Sequence, residues 1–171
     1  MLLRISRFFL FSFVILVFTK NLNAEDIISV NSGGKVIHWT FEKAPNVAHN
    51  IIDTDKDSYW SSGKAVFPQV ITFSMPGNKR FEGFSVIAKN ANDPTTWAKE
   101  IRISSADPFP HMGGWVELVE IELPKDGKET IIKIEPTRGR YFRLEIFSTH
   151  GSSPTEVSLS SFSVYNKMEK K

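Results

Sequence analysis

Asn50-Ile51-Ile52-Asp53-Thr54-Asp55-Lys56-Asp57-Ser58-Tyr59-Trp60-Ser61-Ser62 sets three carboxylates at alternate positions and follows them with a hydroxyl and two aromatics. Acidic side chains this close repel one another. The segment is therefore either an acidic surface turn capping a strand or a loop wrapped around a cation. Calcium suits the second arrangement, because it takes about 6–8 oxygen ligands from carboxylates, hydroxyls and backbone carbonyls. The spacing is not that of an EF-hand: no glycine follows Asp57, and no glutamate closes a twelve-residue loop. Tyr59 and Trp60 supply apolar area to pin the C-terminal end of the loop to a core.

Outward from this loop, helical periodicity is nearly absent. Short runs rich in β-branched and aromatic residues are separated by Gly, Pro, Asn and Asp, the pattern of an all-β sandwich. The expected strands are Val36–Phe41, Val70–Ser74, Phe81–Lys89, Glu100–Ser105, Trp115–Leu123, Glu129–Ile134, Tyr141–Phe147 and Val157–Tyr165. Two alternate cleanly: Val119, Ile121 and Leu123 oppose Glu120 and Glu122, and Phe142, Leu144 and Ile146 oppose Arg143 and Glu145. In the last run Val157 and Leu159 are out of phase with Phe162 and Val164, which predicts a one-residue bulge near Ser160-Ser161. Turns are expected at Met75-Pro76-Gly77-Asn78, Asn92-Asp93-Pro94, Pro124-Lys125-Asp126-Gly127 and His150 to Pro154. About eight strands in two packed antiparallel sheets, an antiparallel jelly-roll, is the simplest arrangement.

The first 24 residues read as a secretory signal peptide, with Arg4 and Arg7 ahead of the apolar run Phe8 to Phe18 and Ala24 at a small-residue cleavage position. That run is shorter than the roughly 20 residues a membrane span needs. Its removal takes away Arg4, Arg7 and Lys20 and no acid, turning the formal charge of +2 into −1. No basic field for nucleic acid remains. Residues 25–171 form a single exported domain, secreted, periplasmic or at the cell surface. The absence of cysteine excludes thiol catalysis and cysteine zinc sites.

Five segments taken in order resemble the discoidin, or coagulation factor 5/8 type C, family, which includes many galactose-binding-like carbohydrate modules. Asn50 to Ser62 resembles its "A-x-D-G-x-x-x-T-x-W-x-S" stretch. Phe67 to Phe73 resembles "P-Q-W-I-x-I-D-L". Ile101-Arg102-Ile103-Ser104 with Asp107 and Trp115 resembles the "V-x-V-S-x-D-G-x-x-W" hairpin. Arg140 to Leu144 resembles "A-R-Y-V-R-L", and Ser158 to Tyr165 resembles "S-L-A-E-I-E-V-Y". The resemblance implies an eight-stranded sandwich whose loops at one end bind ligand, and a structural calcium beside the first motif. Carried over, its ligands are the Asn50 carbonyl, the Asp53 carboxylate, the Asp55 carbonyl, the Ser58 carbonyl and hydroxyl, and a last-strand carboxylate. Ser161 stands where the family has that glutamate, and Thr54 stands where glycine is usual. Both departures weaken the cation reading.

Sugars bind by stacking a ring face on an aromatic while hydroxyls bond to Asn, Asp, Arg or His. The loop from Asn90 through Asn92 to Trp97 holds that inventory, the segment after Thr149 adds His150, and Trp39 lies in the first strand as core or loop rim. Trp60 and Trp115 fall at positions that look structural. The expected function is a non-catalytic module for carbohydrate or glycoconjugate; the alternative is protein–protein or cell-surface adhesion with the same loops. A membrane surface fits poorly, because the one spike-like stretch, Phe109-Pro110-His111-Met112, lacks a basic cluster. Lys64 with Phe67 is a candidate contact for an anionic surface, or simply ordinary surface. None of the four histidines has metal-ligand spacing, and no serine sits in a nucleophile elbow, so an enzyme is not expected.

Overall fold

The computed structural model describes residues 24–55, 57–89, 93–108 and 110–168. The proposed signal peptide lies outside the described residues but for Ala24, and Asn90 and Asn92 lie outside them too. The strands are β1 (Lys35–Trp39), β2 (Trp60–Ser61), β3 (Gln69–Ile87), β4 (Glu100–Ala106), β5 (Val116–Glu122), β6 (Thr130–Ile146), β7 (Ser158–Leu159) and β8 (Ser161–Tyr165), with three short 3-10 turns. All strand pairs are antiparallel. The main sheet runs β1-β3-β6-β4-β5 with β8 against β3, and β2 pairs with β7 separately.

Two strands are longer than their hydrophobic runs suggest. Met75-Pro76-Gly77-Asn78 is not a turn but the middle of β3, where pairing with β6 lapses between Ser74 and Lys79. Proline and glycine interrupt the ladder here without reversing the chain. The runs at Glu129–Ile134 and Tyr141–Phe147 are likewise one strand, β6, interrupted at Pro136. The first half of β3 pairs with β1 and the last half of β6, and its second half pairs with β8 and the first half of β6. The halves fold over a shared core. Phe73 from the first half meets Phe162 of β8 at 5.1 Å, and Phe81 meets Phe142 edge-on at 4.9 Å. These rings and Ile71, Ile101, Ile103, Leu144 and Ile146 are fully buried.

The predicted phase slip in the last strand is real. Leu159 belongs to β7 and packs beside Trp60 of β2, whereas Phe162 and Val164 belong to β8. Ser160 sits between, its amide donating to the Ile87 carbonyl at 2.9 Å. One unpaired residue thus lets both apolar pairs face the core.

Loops from several strands collect at one end of the sandwich: those following β1, β3, β5 and β6, together with the start of β8. Of the candidate ligand contacts, the described residues Trp39, Trp97 and His150 fall in this group.

Candidate functional site

The acidic loop is held by its neighbours in sequence. The 3-10 turn Ala48–Ile52 buries Ala48, Ile51 and Ile52, and Glu42 accepts from the Ala48 amide at 2.9 Å. At the other end Trp60 is fully buried, with its indole N–H on the Phe41 carbonyl at 3.0 Å. Between these anchors the aspartates form successive Asx turns: the Asp55 amide donates to Asp53 and the Asp57 amide to Asp55, each at 2.9 Å.

Four of the five residues expected to ligate a cation come together here. The Ser58 hydroxyl lies 3.1 Å from the Asn50 carbonyl, 3.0 Å from Asp53 Oδ1 and 3.1 Å from the Asp55 carbonyl. A hydroxyl carries one proton, so it satisfies only one of three acceptors. Ser161 is not among these contacts. It begins β8 and lines a cavity of about 420 Å³ shared with Asn50, Asp53, Asp55, Glu129 and Tyr165. Among the described residues no three Asp, Glu, His or Cys side chains are grouped to hold a metal. The oxygen set around Ser58 consists of backbone carbonyls, one hydroxyl and one carboxylate. Thr54 has φ 70°, a left-handed conformation that a β-branched residue rarely adopts. This is where the family pattern has glycine.

A second carboxylate borders the same cavity. Asp26 accepts from the Ile28 and Val164 amides at 3.1 Å each. Burial nonetheless raises its pKa above the ordinary value, against the lowering effect of those bonds.

The residues expected to touch a sugar separate into two groups. Trp39, at the end of edge strand β1, is 41% exposed. The loop after β2 crosses beside it. Thr40 and Val70 exchange hydrogen bonds, the Gln69 amide group donates to the Val66 carbonyl, and the Ser62 hydroxyl donates to the Lys64 carbonyl at 2.7 Å. Lys64 Nζ lies 4.0 Å over the Phe41 ring. Val66 and Phe67 are exposed next in the chain. The Lys64–Phe41 contact and the Thr40–Val70 hydrogen bonds thus join the segment after β1 to the loop after β2, with exposed Trp39, Val66 and Phe67 all within three residues of those contacts in the chain, a corner with a cation on it. The sequence paired Lys64 with Phe67 and ended its first strand at Phe41, but did not join Phe41 to Lys64, a contact that spans 23 positions and has no local signature.

Trp97 corrects its expectation. It is 8% exposed and part of the core, with Gly127 so close beneath the ring that an added Cβ would meet it at 3.1 Å. A ring enclosed in this way offers no face to a sugar. His150 is half-buried, with no hydrogen bond to its Nε2. Burial, and then Lys125, push its pKa below the ordinary value, with Lys99 adding to the effect and the Leu123 carbonyl and Glu122 opposing it. His150 stands near the β4–β5 side, its amide donating to the Trp97 carbonyl at 3.1 Å. Three interstrand steps separate β1 from β4, on the order of 15 Å at the usual sheet spacing. Trp39 and His150 are not one contact set.

Other positions are structural. Trp115 is half-buried beneath the Arg143 guanidinium, 4.7 Å from ring to Cζ, and Arg143 pairs with Glu145 at 3.3 Å. Met112, in the spike-like stretch, is 75% exposed but lies beyond β4, at the opposite end from Trp39; Phe109 lies outside the described residues.

A search of curated protein sequences found no match. Solved structures share the fold at low sequence identity. A family 32 carbohydrate-binding module of NanJ from C. perfringens, solved with galactose, is similar with a TM-score of 0.67 and 13% identity, over 78% of this chain and 94% of that one. The Clostridium perfringens module CpGH89CBM32-5, solved with GalNAc-β-1,3-galactose, gives 0.66 and 16%, over 77% and 94%. The family 32 module of Streptococcus pneumoniae EndoD gives 0.65 and 19%, over 84% and 100%. The sequence model of the F5/8 type C domain matches residues 32–158, and the chain belongs to the F5/8 type C domain family.

Proposed function

We propose that the chain is an exported, non-catalytic module that binds carbohydrate through the loop end bearing Trp39, Val66 and Phe67. The observation that carries this reading is an exposed tryptophan and an exposed phenylalanine on two segments that the Thr40–Val70 hydrogen bonds hold together. An aromatic held in place loses little entropy when a sugar face stacks on it. The similar solved structures named as carbohydrate-binding modules support the same reading. The apolar run of residues 8–18 behind two arginines supports export.

The test is a set of thermal melts of residues 25–171 against neutral, N-acetylated and acidic sugars. A ligand at 100 times its Kd stabilises by about 2.7 kcal/mol. The expected result is a shift with at least one sugar that Trp39→Ala loses while remaining folded. No shift with any sugar sinks the reading. Adhesion to a protein is the second reading, favoured by Ile37, which is 46% exposed on edge strand β1.

A structural calcium belongs to the same proposal. The Asn50 and Asp55 carbonyls, the Asp53 carboxylate and Ser58 would hold it, with Ser161 facing their cavity in place of the family's carboxylate. The support is the three acceptors around a single hydroxyl proton. The ion would supply positive charge among these oxygens and fix the loop. Calcium is expected to raise the melting temperature over EDTA, and Asp53→Ala to abolish that response. An equal response in the variant would remove calcium from this loop.

A further inference from the structure

We propose that the Trp39–Phe67 corner selects acidic sugars, with the Lys64 ammonium receiving a uronate carboxylate while the sugar ring stacks on the neighbouring aromatics. The inference rests on the carbohydrate reading above and names the substrate class at that site.

The charge arrangement of the corner carries it. Three ionisable side chains near it are already engaged. Glu42 is turned onto the Ala48 amide, and Lys43 faces Glu156 at 3.6 Å. Lys64 is different. It is exposed, and its ammonium rests on the Phe41 face at 4.0 Å with no carboxylate partner within ion-pair distance among the described residues. A ring face attracts a cation but accepts little from its N–H groups, so Lys64 retains donors directed away from the ring. The Ser62 hydroxyl holds the Lys64 carbonyl at 2.7 Å, which fixes the base of the side chain. Val66 and Phe67, two and three residues on in the chain, add exposed apolar surface. A neutral sugar can use the apolar surface but leaves this cation unanswered. A uronic acid supplies a ring face and a carboxylate a few ångströms apart, matching both features. A carboxylate on ammonium is a charge-assisted bond, stronger than the same contact to a neutral hydroxyl.

The test compares three probes by calorimetry at low and moderate salt: a galacturonic acid oligosaccharide, its methyl ester, and the matching neutral galactose oligosaccharide. The acid is expected to bind about 1.5- to fivefold tighter than its ester, the range of an exposed ion pair, with the advantage shrinking as salt rises. Lys64→Met keeps the apolar stem and is expected to bring acid and ester to equal affinity; Lys64→Arg is expected to keep the preference. Trp39→Ala is expected to lose all three. Lys64 is exposed, so its variants retain the fold and report on binding alone.

Equal affinity for acid, ester and neutral sugar in the wild type overturns the acidic preference and leaves the carbohydrate reading standing. A preference that survives Lys64→Met overturns the role of Lys64. Absence of binding to every sugar overturns both. Phosphatidylserine vesicles form a separate arm, and binding to them without binding to sugars would assign the cation and its apolar neighbours to a lipid surface instead.

Discussion

Trp39 and Trp97 occupy the same end of the sandwich and enter the sequence in similar company, each beside polar residues at the border of a strand and a loop. Their fates differ. Trp39 closes an edge strand, has a neighbour on one side only and keeps 41% of its surface. Trp97 bridges Ser158 of β7, its neighbour Ala98 bridges Thr149, and the ring lies over Gly127, which leaves it 8%. A tryptophan becomes a platform or a core residue according to what crosses it from distant sequence. That also separates the corner proposed for sugar from the region around His150.

Substitution of the two tryptophans gives the sharpest contrast. Trp97→Ala is expected to cost about 3–5 kcal/mol, the range for deleting a buried aromatic, whereas Trp39→Ala costs about 1 kcal/mol because much of the ring is already wet. Urea unfolding of both variants checks this. Equal losses would erase the distinction between core and platform.

A smaller effect is expected in the acidic loop. Thr54 in the left-handed region carries a penalty of about 1–2 kcal/mol, partly offset on replacement by the extra freedom glycine gives the unfolded chain, about 0.5–1 kcal/mol. Thr54→Gly should therefore stabilise by about 0.5–1 kcal/mol. Its side chain is exposed, so little else is lost. Destabilisation in chemical unfolding would mean that the threonine itself holds the loop.

The smallest effect is at His150. Its folded pKa lies below the ordinary 6.5, chiefly through burial. The unfolded chain therefore binds more protons than the folded one as pH falls below that value. The stability His150 contributes is present above about 6.5 and is lost as pH falls toward the lowered folded value. Unfolding free energies from pH 7.5 to 5 should decline more steeply in the wild type than in His150→Gln. Asp26 acts in the opposite sense. Its raised pKa makes the folded state the better proton binder at acidic pH, where the carboxyl is neutral, and the cost of its buried charge enters as pH rises. Parallel curves for wild type and His150→Gln would show that the histidine is solvated in both states.

Much of the strand pattern was legible because period-two alternation marks a half-buried strand. Glu120 and Glu122 against Ile121 and Leu123, and the phase slip at Ser160, needed no tertiary information. The turn expected at Met75 to Asn78 was misread because Pro-Gly-Asn marks a break in pairing, and a break followed by a reversal looks the same in sequence as one followed by continuation. Only the partner strand distinguishes them: β6 runs on from Gly139 to Tyr141 opposite the break and pairs with β3 on both sides of it. The aspartate loop was legible because its contacts are local: Asn50, Asp53, Asp55 and Ser58 lie within nine residues. The apolar corner was not, because Phe41 and Lys64 meet across 23 positions.

The sequence by itself determined the β class, the acidic loop and the membership that its ordered motifs implied, because alternation, turn chemistry and short-range oxygen spacing are properties of neighbouring residues. Tertiary structure alone decided which tryptophan is exposed, that β3 and β6 continue through their breaks, and that Lys64 comes to rest on Phe41. Burial and ion pairing depend on what the rest of the chain lays across a residue, and no local pattern encodes that.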